Sequence, residues 1–157
     1  KVGGNYAASM TSVAKAHKEG YATALYLDAK DKKYIDEAGP ANFFGIKGDT
    51  YITPDSHSIL PSITNMSLMT LAGEMGLKVE KRPIAVEELS ELDEAGACGT
   101  AAVITPIHKI DDVEKGISYT FGDGKSAGPV TTRLYERLTA IQYGDTADPF
   151  GWVTVLD

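Results

Sequence analysis

The sequence predicts a mixed α/β or α+β fold, and three observations carry that expectation. Helix-compatible stretches alternate with short strand-like ones. Several neighbouring strands are separated only by tight turn signals, which pairs them as hairpins and makes the sheet mixed. One late segment has a clean amphipathic period. The chain has 157 residues, within the ~100–200 residues of one domain, and no repeat, low-complexity tract or charge block divides it. Hydrophobic residues make up 43% and charged residues 24%, a balance that supports a packed core and argues against disorder.

In chain order, Asn5–Glu19 reads as a helix through Ala7, Ala8, Met10, Ala14 and His17, with Gly20 as its stop. Strand-like pieces follow at Thr23–Leu27, Tyr34–Asp36, Asn42–Lys47 and Tyr51–Thr53, and Asp31-Lys32-Lys33 and Gly48-Asp49 are the turn signals. Thr64–Met75 carries Met66, Met69, Leu71 and Ala72 on a helical pattern, with Gly76 after it. Lys78–Ile84 reads as a strand, Val86–Leu92 as a short acidic helix and Ala101–Pro106 as a strand. In the last helix Pro129 takes the first helical position, Val130, Leu134, Leu138 and Ile141 form one apolar stripe, and Gly144 ends it.

Composition excludes some functions. Fifteen basic against 22 acidic residues give a net charge of −7 and a pI near 4.9, which leaves no basic face for nonspecific nucleic-acid binding. A small anion could still be held locally by backbone N–H groups. No apolar run approaches the ~18 residues of a membrane span, and Lys-Val-Gly-Gly-Asn-Tyr has none of the features of a secretory signal. The lone Cys98 rules out an internal disulfide and fits a reducing, cytoplasmic compartment.

Three superficial motifs fail. Gly124-Lys125-Ser126 ends like a P-loop, but position 119, where the pattern needs glycine, is Tyr119. Asp28–Lys33 and Asp111–Gly116 lack the alternating oxygen ligands of a calcium loop. His17, His57 and His108 lack the spacing of a zinc helix, so no metal is expected. Lys1-Val2-Gly3-Gly4-Asn5-Tyr6 is different in kind, because it sets an amine and a phenol around two glycines directly before a helix. Glycines there let the backbone pass close to a flat ligand. Alone, the block would read as an ordinary loop entering a helix.

Read with other blocks, it does more. KVGGNY (1–6), IDEAGPANF (35–43), Thr53-Pro54, ILPSIT (59–64), GTAAVITP (99–106), IQYG (141–144) and Trp152 stand in an order and spacing covering nearly the whole chain. In these blocks the chain resembles the carboxy-terminal half of the branched-chain amino acid aminotransferases, L-specific members of the fold-type IV pyridoxal 5'-phosphate enzymes. The resemblance implies a mixed-sheet pseudobarrel with flanking helices. It also implies that residues 1–157 are the C-terminal cofactor-binding domain, separated from the parent's N-terminal domain.

The resemblance further implies residue roles. Lys1 would join the cofactor through its ε-amino group and act as catalytic base; such a lysine must be partly deprotonated, which desolvation beside a cationic ring promotes. Tyr6 would hydrogen-bond the cofactor's phenolic oxygen. Glu37 would keep the pyridine nitrogen protonated so that the ring can accept electrons. Without its flanking Gly39 and Asn42, it would read as a solvated surface charge. Asn42 would support the loop. Ile63 and Thr64 would hold the phosphate through backbone N–H groups and a hydroxyl at a helix start, where free N–H groups and the helix dipole favour a dianion; alone, Thr64 reads as a helix cap. Thr100 would add a hydroxyl to the phosphate, and the N–H groups of Thr100 and Ala101 would face the substrate carboxylate.

Ser62 and Asn65 depart from the glycine and arginine frequent in the family, and Ala102 and Thr105 stand where some animal relatives carry a redox cysteine pair. Cys98 then reads as a small buried residue. The implied activity of the parent, a homodimer, is amino-group transfer between leucine, isoleucine or valine and 2-oxoglutarate, with branched-chain amino acids and 2-oxo acids as its ligands. Alternatives within the fold are D-amino acid transaminase and aminodeoxychorismate lyase. A non-catalytic folding or assembly module is the alternative of a different class.

Overall fold

A computed structural model describes residues 3–156. After a 3-10 turn at Gly3–Tyr6 come helix α1 (Ala7–Lys18) and strands β1 (Leu25–Leu27), β2 (Ile35–Ala38), β3 (Ala41–Lys47) and β4 (Thr50–Thr53). Helix α2 (Ile63–Glu74) leads to β5 (Lys78–Lys81), and a 3-10 segment at Val86–Glu91 leads to β6 (Glu94–Gly99) and β7 (Val103–Ile107). The hairpin of β8 (Lys109–Asp112) and β9 (Ile117–Thr120) precedes helix α3 (Pro129–Tyr143).

Strand β3 organises the sheet. On one edge it pairs antiparallel with β6 from Asn42↔Cys98 to Ile46↔Glu94. Its other edge is shared between β2 at Glu37↔Asn42 and Ala38↔Ala41, and β4 at Gly45↔Ile52 through Lys47↔Thr50. Between those partners the Phe43 carbonyl accepts from Thr53 Oγ1 at 2.9 Å. Strands β4 and β5 run parallel with α2 as their crossover. Beyond β5 the chain bridges back to the start of β2 at Tyr34↔Ala85, with Ile35 N–H donating to Ile84 O at 2.9 Å. The circuit β2–β3–β4–β5 therefore closes on itself, in agreement with the pseudobarrel expectation.

Two cores follow from this curvature. Inside lie Ile35, Phe43, Ile52, Ile84, Leu89, Leu92, Ala95 and Phe121. Outside, α2 and α3 cover Phe44, Ile46, Tyr51, Cys98 and Ile104 with Leu68, Leu71, Leu134, Leu138 and Ile141. Helix α1 buries no residue among those described; the Ser12 and Tyr26 hydroxyls, 3.1 Å apart, link it to β1.

Several boundaries differ from expectation. Helix α1 starts two residues later than Asn5, because Gly3–Tyr6 winds as a 3-10 turn. The strand from Lys78 stops at Lys81, since Arg82-Pro83 turns the chain toward β2. Val86–Glu91 is 3-10 rather than α-helical. The strand expected from Ala101 begins at Val103, and Thr100, Ala101 and Ala102 form the β6–β7 turn. Strands β6, β8 and β9 lie where no strand was expected. The Gly124-Lys125-Ser126 stretch is a turn, with Asp123 Oδ1 accepting from the N–H groups of Lys125 and Ser126 at 2.8 and 2.7 Å.

Candidate active site

Register alone brings three chemical groups to one face. Glu37, Asn42, Cys98 and Ile104 are successive neighbours across β2, β3, β6 and β7. Cys98 and Ile104 pack into the core under α2 and α3, and the row continues from that core to Glu37 and Asn42, which are half-buried.

The chain before α2 ties itself to that pair through one residue. Leu60 N–H donates to Glu37 Oε1 at 3.3 Å, and Asn42 Nδ2 donates to the Leu60 carbonyl at 3.1 Å. The supporting role expected of Asn42 is therefore observed, and its partner is a backbone group that side-chain chemistry gave no means of finding. Partial burial raises the Glu37 carboxyl above its ordinary value, the Leu60 N–H opposes this, and the Asp36 carboxylate next along the strand adds to the rise.

Two residues past Leu60, Ser62 caps α2. Its Oγ accepts from Asn65 N–H at 3.2 Å and its carbonyl from Met66 N–H at 2.9 Å. The expected cap, Thr64, lies inside the first turn instead. With Ser62 satisfying the third and fourth positions, the N–H groups of Ile63 and Thr64 have no acceptor among the described residues. Those two groups at the positive end of a twelve-residue helix form an anion cradle. Asn65, which stands where the family often has arginine, turns inward. It accepts from Tyr51 OH at 2.7 Å and donates to Thr53 Oγ1 at 3.0 Å, so it locks α2 onto β4 and contributes no charge to the cradle.

The β6–β7 turn leaves the sheet two residues beyond Cys98. Thr100 and Ala101 are exposed there, and their N–H groups make no backbone hydrogen bond among the described residues. Tyr6 ends the 3-10 turn before α1, 41% exposed, and its hydroxyl makes no hydrogen bond to Glu37, Thr64 or Thr100. Lys1 lies outside the described residues. Cys98 is buried, and burial pushes its thiol up to about 12, which suits an inert core residue.

These residues fit pyridoxal phosphate on three counts. The cradle has two free donors for a dianion, Glu37 keeps its Oε2 unpartnered among the described residues, and nothing in the described chain closes over either group, since Leu60 and Ile63 are 66% and 74% exposed. A cavity of about 520 Å³ lies elsewhere, between α1, β1 and the β7–β8 segment, and none of the expected site residues lines it.

A barrel-like mixed sheet that carries a half-buried carboxylate and a helix-borne anion cradle is the frame this chain shares with proteins of one family. The chain belongs to the family described as amino-transferase class IV, whose sequence profile matches residues 1–110. It is 46% identical over 164 residues to the branched-chain-amino-acid aminotransferase of Haemophilus influenzae, covering 100% of this chain and 47% of that protein. Against the enzyme of the same name from Helicobacter pylori it is 50% identical over 155 residues, covering 98% and 44%. Among solved structures, the branched-chain amino acid aminotransferase from Escherichia coli superposes with a TM-score of 0.82 at 34% identity, over 96% of this chain and 48% of that one. A second branched-chain amino acid aminotransferase, solved in complex with N-(5'-phosphopyridoxyl)-L-glutamate, gives 0.85 at 31% identity, over 98% and 49%. The chain spans about half the length of the relatives it matches.

Proposed function

We propose that this chain is the cofactor-binding part of a pyridoxal-phosphate-dependent aminotransferase, and that the whole protein moves an amino group between leucine, isoleucine or valine and 2-oxoglutarate. The observation that carries the reading is the Leu60 link, which holds the Glu37 carboxylate and the α2 cradle on one open face. The bound cofactor would supply an electron-accepting ring that stabilises negative charge at the substrate Cα.

The chain's own residues would do the rest. Glu37 Oε2 would accept the pyridine N–H, and its raised proton affinity suits it to share that proton. Ile63 N–H, Thr64 N–H and the Thr64 and Thr100 hydroxyls would bind the phosphate. Tyr6 OH would donate to the ring oxygen. Lys1 Nζ would carry the proton taken from the substrate Cα, and the Thr100 and Ala101 N–H groups would hold the substrate carboxylate.

The test is turnover by the full-length protein with L-leucine, D-alanine and aminodeoxychorismate in separate assays. Preference for L-leucine with 2-oxoglutarate as acceptor supports the reading. Preference for D-alanine, or pyruvate release from aminodeoxychorismate, replaces it with another activity of the same fold. Inactivity on all three, with cofactor bound, favours a non-catalytic module.

A further inference from the structure

We propose that Val103 is a positioning residue: a left-handed backbone pinned by a partly buried side chain packed on the core under α2 and α3, which fixes the β6–β7 turn so that the Thr100 and Ala101 N–H groups form a preset carboxylate seat. This rests on the functional reading above and adds a residue to it.

Among the described residues, only Lys32 and Val103 are non-glycine with left-handed φ, at 50° and 58°, whereas nine glycines occupy such positions. The two exceptions differ. Lys32 sits in an exposed turn whose neighbours Asp31, Lys33 and Tyr34 donate their N–H groups to the Asp28 carboxylate, and its side chain is unbranched. Val103 is branched at Cβ, the class least tolerant of this region.

Its place in the hairpin calls for glycine or asparagine. Val103 pairs with Gly99 as the last rung of the β6–β7 ladder, directly after the exposed Thr100–Ala102 loop. Loops of this kind return to the strand through a left-handed residue, and Gly or Asn is the usual choice. Here the valine side chain packs against the core under α2 and α3 that contains Cys98, Ile104, Leu134 and Leu138. A branched side chain driven into packing at a disfavoured φ holds one backbone geometry where glycine would sample several. The loop it terminates carries the two N–H groups that have no backbone acceptor among the described residues.

The experiment uses the full-length protein with Val103→Gly, Val103→Asn and Val103→Ile, and reads binding as well as turnover. The binding probe is 4-methylvalerate, a non-reacting carboxylate of leucine's shape, followed by calorimetry. For Val103→Gly and Val103→Asn we expect Kd for 4-methylvalerate and KM for L-leucine to rise about tenfold, kcat to change less than about twofold, and Tm to stay within a few degrees. Relief of the left-handed strain offsets the lost packing in both. Val103→Ile, which keeps the branch and the anchor, should restore Kd and KM. A Tm loss with unchanged Kd and KM in either variant, or failure of both to fold, assigns Val103 a purely structural role and overturns the proposal. Absence of both turnover and 4-methylvalerate binding in the unsubstituted protein defeats the functional reading itself.

Discussion

Glu37 carries the sharpest residue-scale consequences, because burial and function pull on the same proton. Its carboxyl is raised above the ordinary value of 4.5, so the folded state holds the proton more tightly than the unfolded chain. The stability tied to this group is therefore full below pH 4.5 and is lost as pH rises through the elevated folded value. Glu37→Gln removes that loss. Without cofactor, the variant should be at least as stable as the parent protein at pH 7, and its relative stability should fall away below pH 4.5. In the full-length enzyme the same substitution should lower kcat by ~10²-fold or more, since a preorganised charge is gone. Thermal melts from pH 3 to 8 and steady-state kinetics check the two halves separately. Unchanged kcat would remove Glu37 from the site. Asp28 shows the opposite sign. Backbone N–H groups of Tyr34, Asp31 and Lys33 pull its carboxyl down from 3.8 to about 2, so its contribution is present above pH 3.8 and disappears as pH falls through about 2. Asp28→Asn should lower Tm at pH 7 and match the parent protein near pH 2; equal melting temperatures at pH 7 would contradict the turn's role. At this scale the sequence was partly legible. Glu37 and Asn42 fall in one block of the resemblance and meet at Leu60, whereas Leu60 acts through backbone atoms that any residue would supply.

Among the elements, α3 shows which features a sequence carries openly. Pro129 occupies its first turn, its buried stripe is Thr131, Leu134, Leu138 and Ile141, and Gly144 ends it at φ 77°. The device at its amino end was hidden, because it comes from a residue far back in the chain. Glu94, buried at the start of β6, accepts from Val130 N–H at 2.9 Å and Thr131 N–H at 2.7 Å. Its charge also meets the positive end of the helix dipole. A Cβ on Gly128 would overlap that carboxylate. Glu94→Ala should therefore cost about 2–3 kcal/mol, for two charge-assisted hydrogen bonds at a buried helix end, or a Tm fall of roughly 5–10 °C. Gly128→Ala should act through the same contact, so the double variant should lose less than the sum of the singles. Full additivity would separate Gly128 from the cap. The same long-range logic explains why β6 escaped notice. Glu94-Ala-Gly-Ala-Cys-Gly99 has little strand propensity. Its glycine is required by a neighbour: Gly96 leaves room for the Phe44 ring that stacks on Tyr51, 5.1 Å between centroids. Packing against other strands selected those residues, and no local pattern records it.

For the whole molecule, closure is the feature that propensity could not reach. The Tyr34↔Ala85 bridge joins segments about fifty positions apart, and only the resemblance anticipated the barrel it completes. Both cores are assembled from residues of this chain, and the two ionisable groups of the outer one, Tyr51 and Cys98, are held neutral by burial. The chain should therefore fold when produced alone. Its site is another matter. Leu60 and Ile63 flank the cradle with their side chains largely bare, and orientation of two reactants, which can supply several kcal/mol of barrier lowering, needs walls that the described residues do not build there. Residues 1–157 alone should melt cooperatively yet give no measurable L-leucine transamination, while the full-length protein turns it over. Borohydride reduction of the cofactor-loaded full-length protein, followed by peptide mapping, should then find the label on Lys1 and on no other lysine. The isolated chain offers two amines at that residue, an α-amino group with a pKa of ~8 and an ε-amino group with one of ~10.4. At neutral pH more of the first is in its free-base form, so the label there should divide between the two. A label on any other lysine of the full-length protein would defeat the assignment of Lys1, and turnover by the isolated chain at the full-length rate would show that the open face is sufficient.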